Sequence, residues 1–111
     1  KPESSATVAK RVARARQIQR ERFEKRGLPG VSTNTQCSAA MIEEIAAPDA
    51  GGAALLADAS AQLRFSARAY HRILKVARTL ADLDEAEQVG RIHLAEAISY
   101  RMPGERMARA A

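Results

Sequence analysis

The sequence is poor in the residues that usually build a large core or a metal site. Of its 111 residues only 4% are aromatic, none is Trp, and Ala supplies much of the 46% that are apolar. We therefore expect a small core. The single cysteine, Cys37, allows no internal disulfide, and two histidines, His71 and His93, are too few to form a metal site with it. We expect no bound metal, and a structural or solvated role for each histidine.

Long apolar runs and catalytic motifs are missing as well. No run of about 18 apolar residues and no leader sequence is present, so we expect a cytoplasmic protein with no membrane partner. There is no Gly-rich phosphate loop and no recognisable nucleophile motif. We expect this chain alone to bind no cofactor and to catalyse no reaction. Because it begins with Lys1 rather than Met, we expect a piece of a longer protein.

Helical periodicity dominates what is present. No segment shows strand-like alternation, which predicts an all-α fold, a small helical bundle preceded by a long basic helix. The longest unbroken helical period runs from Ser66 to Leu83, and Ser66 is placed to cap its first turn. Apolar positions at steps of three and four form one stripe that should face the core, namely Tyr70, Ile73, Leu74, Ala77, Leu80 and Ala81.

The opposite side of this helix carries the candidate functional residues. Arg68, Arg72 and Lys75 fall within about 60° of one another at 100° per residue. Thr79 and Asp82 are predicted to continue this polar face. The functional question is what the three cations contact.

The net charge of +5 is concentrated at the start of the chain. Residues 1 to 26 hold nine Lys or Arg against three acids, a balance of +6, whereas the other 85 residues hold nine against ten. A helix is predicted from Ser5 to Arg26. Its cations point nearly all round, which favours a solvated helix over direct phosphate binding, since nucleic-acid readers concentrate their cations on one face. A third hypothesis is a connector that packs against a domain outside this chain.

The rest of the chain divides into short elements. Ser38 and Asp49 are placed to cap two short helices separated by Pro48. An acidic connection anchored by Val89 leads to a last helix, whose apolar positions are Ile92, Leu94, Ala97 and Ile98. The predicted organisation is a connector helix over 1 to 27, a flexible loop over 28 to 37, a bundle over 38 to 102 and a disordered tail over 103 to 111.

Three phrases of the sequence resemble one known family. SARAYHRILKVARTLADLD and HLAEAISYR resemble the most characteristic C-terminal phrases of magnesium-chelatase-like AAA+ ATPases of the ComM type. PESSATVAKRVARARQIQRER resembles the helix that joins the ATPase core to the lid in that group. The resemblance covers nearly the whole chain and implies that residues 38 to 102 are the C-terminal helical lid.

The resemblance implies a parent protein and a role for Arg68. The parent would carry the nucleotide-binding loop upstream, would use ATP and Mg²⁺, and would assemble with adjacent subunits as a ring, expected to be a hexamer. Arg68 matches the position of the nucleotide-sensing arginine, known as sensor 2, near the start of the third lid helix in related rings. Arg72 and Lys75 are secondary candidates, for phosphate or for the adjacent subunit.

Three functions follow as hypotheses. The first is the lid of a motor that acts on DNA in branch migration during recombination and competence. The second is the lid of a magnesium chelatase subunit that acts in porphyrin metallation. From a different class, the chain could be a stand-alone basic helical module that binds nucleic acid or protein.

Overall fold

The computed structural model describes residues 3 to 28 and 30 to 100. Within those ranges the protein is all-α, as predicted, with one isolated bridge between Pro48 and Val89 and no strand. The helices in chain order are α1 (Ser5–Lys25), α2 (Ala39–Ile45), α3 (Ala50–Leu63), α4 (Ala67–Leu83) and α5 (Arg91–Ser99). A single turn of 3₁₀ helix, Asn34–Gln36, lies between α1 and α2.

Side chains cap the helices where the sequence predicted caps. Ser38 accepts from the Met41 amide at 3.2 Å, Asp49 from the Gly52 amide at 2.8 Å, and Ser66 from the Ala69 amide at 3.1 Å. Each cap satisfies one amide that has no partner inside its helix. The starts of α2, α3 and α4 are therefore confirmed.

Helix α4 is the centre of the bundle and packs against α1, α2 and α5. Four positions of its predicted stripe are buried, namely Ile73, Leu74, Ala77 and Ala81. Tyr70 and Leu80 are only half-buried at the margins of the stripe. Val89, the predicted anchor of the acidic connection, is fully buried against this core.

In α5, Leu94 and Ala97 are buried, whereas Ile92 is 73% exposed. One prediction of side-chain direction is wrong. Asp82, predicted to continue the polar face of α4, is only 1% exposed. The reason is that α1 and the 3₁₀ turn cover it and supply polar partners.

Helix α1 is also more deeply integrated than a solvated helix would be. Its buried residues are Ala15, Gln19 and Phe23, and Phe23 has no exposed surface. Val8 and Val12, nearer its start, remain 44% and 37% exposed. The solvated interpretation is therefore wrong for the C-terminal half of α1. The connector hypothesis and the predicted domain boundaries stay predictions, and the tail over 103 to 111 lies outside the described residues.

Two adjacent glycines in the first turn of α3 should respond oppositely to Ala. A Cβ on Gly52 would lie 2.9 Å from Leu94 Cδ1 and 3.0 Å from Pro48 Cβ, whereas on Gly51 the nearest atoms are at 3.8 Å. We expect Gly52→Ala to destabilise by about 1–3 kcal/mol through overpacking. Gly51→Ala should stabilise by about 0.5 kcal/mol, because only the helix propensity changes. Urea unfolding of both variants measures the difference, and an equal response would refute the close packing of α3 on α5.

Candidate functional site

The polar face of α4 lines a groove of about 560 Å³. The start of α2 and the 3₁₀ turn complete its walls through Ala39 and Thr35. The three cations that the sequence singled out, Arg68, Arg72 and Lys75, all line it. The structure thus brings the predicted residues together on one concave surface, and it adds His71 between Arg68 and Arg72.

The three cations differ in their partners. Lys75 Nζ donates to the Thr35 carbonyl oxygen at 3.0 Å and so ties α4 to the wall of the groove. The guanidinium groups of Arg68 and Arg72 make no hydrogen bond or ion pair with any residue that the structure describes. Arg68 is exposed, one residue after the start of α4, and Arg72 is half-buried one turn further on. The groove therefore presents two guanidinium groups to an anionic ligand.

One acidic side chain, Glu43, lies near the rim of the groove, where it contacts His71. His71 Nε2 lies 2.6 Å from Glu43 Oε2, while Glu43 itself does not line the groove. No carboxylate is among the lining residues that the structure describes. The electrostatic environment of Arg68 and Arg72 therefore favours an anion.

The other histidine, His93, makes two hydrogen bonds at the start of α5. The Gly90 amide donates to His93 Nδ1 at 3.0 Å, so a neutral ring carries its proton on Nε2. Nε2 then donates to Asp84 Oδ2 at 2.8 Å. His93 thus caps a helix in this arrangement and lies apart from the groove.

A buried polar cluster behind the groove is the main feature that sequence reasoning missed. Arg22 on α1 donates through Nη1 to Asp82 Oδ2 at 3.0 Å and to Asn34 Oδ1 at 3.1 Å. Asn34 Nδ2 in turn donates to Asp82 Oδ2 and to Thr79 Oγ1, both at 3.0 Å. The Asn34 amide also donates to Gln19 Oε1 at 3.0 Å. The cluster therefore joins α1, the 3₁₀ turn and α4.

Arg78 completes this cluster from inside α4. Its guanidinium donates to three carbonyl oxygens, at 3.2 Å to Ile45, 2.7 Å to Ala86 and 3.0 Å to Glu87, and lies 3.1 Å from Asp82 Oδ1. Burial lowers the pKa of the Arg78 guanidinium, and the Asp82 carboxylate opposes that shift. The signal in the sequence was an Arg and an Asp four residues apart, directly beside the apolar stripe of α4.

Cys37 lies in the core beside these elements. It is 6% exposed, and burial raises the pKa of its thiol, a shift that neighbouring cations partly oppose. A raised pKa keeps the sulfur in its less reactive thiol form. Across residues 3–28 and 30–100 no group of three or more His, Cys, Asp or Glu is arranged to hold a metal ion. In the same ranges no helix is long and apolar enough to cross a membrane.

Comparison with known proteins defines the class. Residues 2–101 match the family described as magnesium chelatase, subunit ChlI C-terminal. The chain therefore belongs to this family of C-terminal domains. No solved structure matches it significantly.

Two relatives show how the chain compares with whole proteins. It is 42% identical over 101 residues to the "Uncharacterized protein YifB" of Salmonella typhimurium, an alignment that covers 91% of this chain and 19% of the relative. It is 41% identical over 99 residues to the "Competence protein ComM" of Haemophilus influenzae, covering 89% of this chain and 18% of the relative. The chain thus spans about a fifth of the length of these curated relatives.

Proposed function

We propose that this chain is the C-terminal lid of an AAA+ ATPase and that Arg68 is its nucleotide-sensing residue. The longer protein would bind ATP and Mg²⁺ in an upstream core and would assemble as a cytoplasmic ring, a hexamer by resemblance. Membership of the magnesium chelatase family and relatives about five times as long support this proposal.

The observation that carries the proposal is the guanidinium of Arg68, which pairs with no described residue and lies in a groove whose described lining residues include no carboxylate. Such a group holds γ-phosphate oxygens through charge-assisted hydrogen bonds. It also stabilises the charge that moves during phosphoryl transfer, when the site is preorganised and partly dehydrated. Arg72 is one turn further from the helix start and serves as a weaker contact, for phosphate or for the adjacent subunit. Lys75 already bonds to Thr35, so its first role is to hold the wall of the groove.

Replacing Arg68 in the longer protein tests the proposal. Arg68→Ala should lower ATP turnover by at least about tenfold, because one charge-assisted donor to the transferring phosphoryl group is lost. The same change should alter the free energy of unfolding of this chain by less than about 0.5 kcal/mol, since the exposed side chain fills no space in the core. Turnover in the assembled protein and urea unfolding of the chain measure the two effects. Normal turnover would defeat the sensor assignment, and a large loss of stability would make Arg68 structural.

DNA is the substrate that we propose for the longer protein. The similarity to a protein named for competence supports a motor that remodels DNA in recombination. The family description, which names magnesium chelatase, supports the alternative of porphyrin metallation. The stand-alone basic module remains the third hypothesis. The sequence encoded upstream of Lys1 distinguishes the stand-alone module from the DNA motor and the chelatase subunit. Both ATPase hypotheses require a phosphate-binding loop there, and the stand-alone module does not.

A further inference from the structure

A second depression adjoins the groove on its α1 side. It has a volume of about 300 Å³ and is lined by residues of α1, the 3₁₀ turn and α4. Thr35 and Thr79 line both depressions. The surface is therefore continuous from Arg72 and Lys75 on α4, across the two threonines, to Arg16 on α1.

The cations of α1 are divided between its two sides. Those on one side meet carboxylates in the pairs Arg11–Glu3, Arg14–Glu85, Arg22–Asp82 and Arg26–Glu44. Arg16 lies on the other side, lines the second depression, and makes no hydrogen bond or ion pair with any described residue. The sequence shows cations all round α1. In the structure, four of them form ion pairs, whereas Arg16 pairs with no described residue and lies on the side of α1 that adjoins α4.

Among residues 3–28 and 30–100, no carboxylate lines either depression. Two acids lie near this surface. Glu43 is paired with His71 at the far rim, and Asp82, which Asn34 joins to Thr79, is paired with Arg22 and Arg78. Arg72, Lys75, Thr35, Thr79 and Arg16 thus form one surface, which we call the basic strip. Lys75 uses one of its three ammonium protons on the Thr35 carbonyl, so two donors remain.

We propose that the basic strip binds the sugar-phosphate backbone of a nucleic acid strand. Arg and Lys are side chains that contact phosphate oxygens in such complexes, whereas the Thr79 hydroxyl already donates to the Lys75 carbonyl oxygen at 2.9 Å. From Arg72 to Thr79 the helix rises about 10 Å, which is longer than a single phosphate group. The strip therefore offers three cations, Arg72, Lys75 and Arg16, to successive phosphates of one strand. A repeating anion along an extended surface fits this arrangement better than the single phosphate cluster of a nucleotide. The inference deepens the proposed action on DNA and rests on it for the class of ligand, but it does not depend on the role of Arg68.

Binding of a labelled oligonucleotide to the 111-residue chain tests the inference. The probe is a fluorescein-labelled 30-nucleotide oligothymidylate, followed by anisotropy between 50 and 200 mM NaCl (roughly the range over which phosphate contacts are lost). Three contacts predict a slope of about −2 for the logarithm of affinity against that of salt, or roughly 20-fold weaker binding across this range. The double variant Arg16→Gln/Arg72→Gln should flatten that slope by about 1.4, since two contacts are lost.

A matched control separates the strip from net charge. Lys10→Gln/Arg91→Gln also removes two cations that pair with no described residue, but neither lines the strip. This variant should keep the slope of the parent chain, and melting curves check that all variants fold.

Equal effects of the two double variants, or no binding at the lowest salt, would overturn the inference. Displacement by polyglutamate at equal charge concentration would overturn it too, in favour of an acidic protein partner. ATP turnover is not a readout here, so failure would leave the role of Arg68 untouched.

Discussion

Asp82→Ala is expected to lower the free energy of unfolding by about 3–5 kcal/mol, because removing one partner of a buried ion pair leaves its counter-charges uncompensated. The side chain of Asp82 has no exposed surface, and those of Arg22 and Arg78 are 15% and 3% exposed. Asn34 would lose an acceptor in the same step. For a domain of this size, such a loss is a large fraction of the total stability.

Asp84→Ala is the matched control for this prediction. Asp84 is also an aspartate with a charged or polar partner, His93, but its side chain is 55% exposed. Solvent screens such a pair, so its removal should cost about 0–1 kcal/mol. Urea unfolding of both variants measures the contrast. Similar losses for Asp82 and Asp84 would show that the buried cluster does not hold α1, the 3₁₀ turn and α4 together.

Phe23→Ala should cost about 3–5 kcal/mol, the range for truncating a buried aromatic residue. Phe23 has no exposed surface and belongs to the core cluster, although it lies on the basic helix α1. The cavity would open between α1 and the rest of the bundle. The prediction therefore tests whether the C-terminal half of α1 is an integral part of the domain.

Val12→Ala provides the comparison within the same helix. Val12 is 37% exposed, so its truncation should cost less than about 1 kcal/mol because little cavity is formed. Unfolding free energies of the two variants, with amide exchange along α1, give the result. A Phe23 variant as stable as the Val12 variant would mean that α1 lies loosely on the bundle.

Local patterns predicted much of this fold. Ser38, Asp49 and Ser66 cap their helices because a cap depends only on the first turn that follows it. The stripe of α4 was predicted for a similar reason, since a 3.6-residue period fixes which side chains share a face. The same geometry placed Arg68 and Arg72 together, and both line the groove.

The segments that pack over the polar face of α4 could not be predicted in the same way. A helical wheel gives the direction in which Asp82 points. It does not show that Arg22, which is 60 residues earlier in the chain, packs against Asp82 and donates a hydrogen bond to it. Likewise, it could not show that Thr35, from a segment without periodicity, forms a wall of the groove. These contacts depend on how distant segments pack, and periodicity within one helix carries no information about them.

The most direct test of the central claim compares ATP turnover of Arg68→Ala and Arg72→Ala in the longer protein, without DNA. Both changes remove from the same groove a guanidinium that pairs with no described residue, so the change in net charge is matched. We predict a loss of at least about tenfold for Arg68→Ala and a milder loss for Arg72→Ala, since the nucleotide sensor is expected near the start of α4. Equal losses, or normal turnover in the Arg68 variant, would contradict the claim that this groove places Arg68 on the nucleotide.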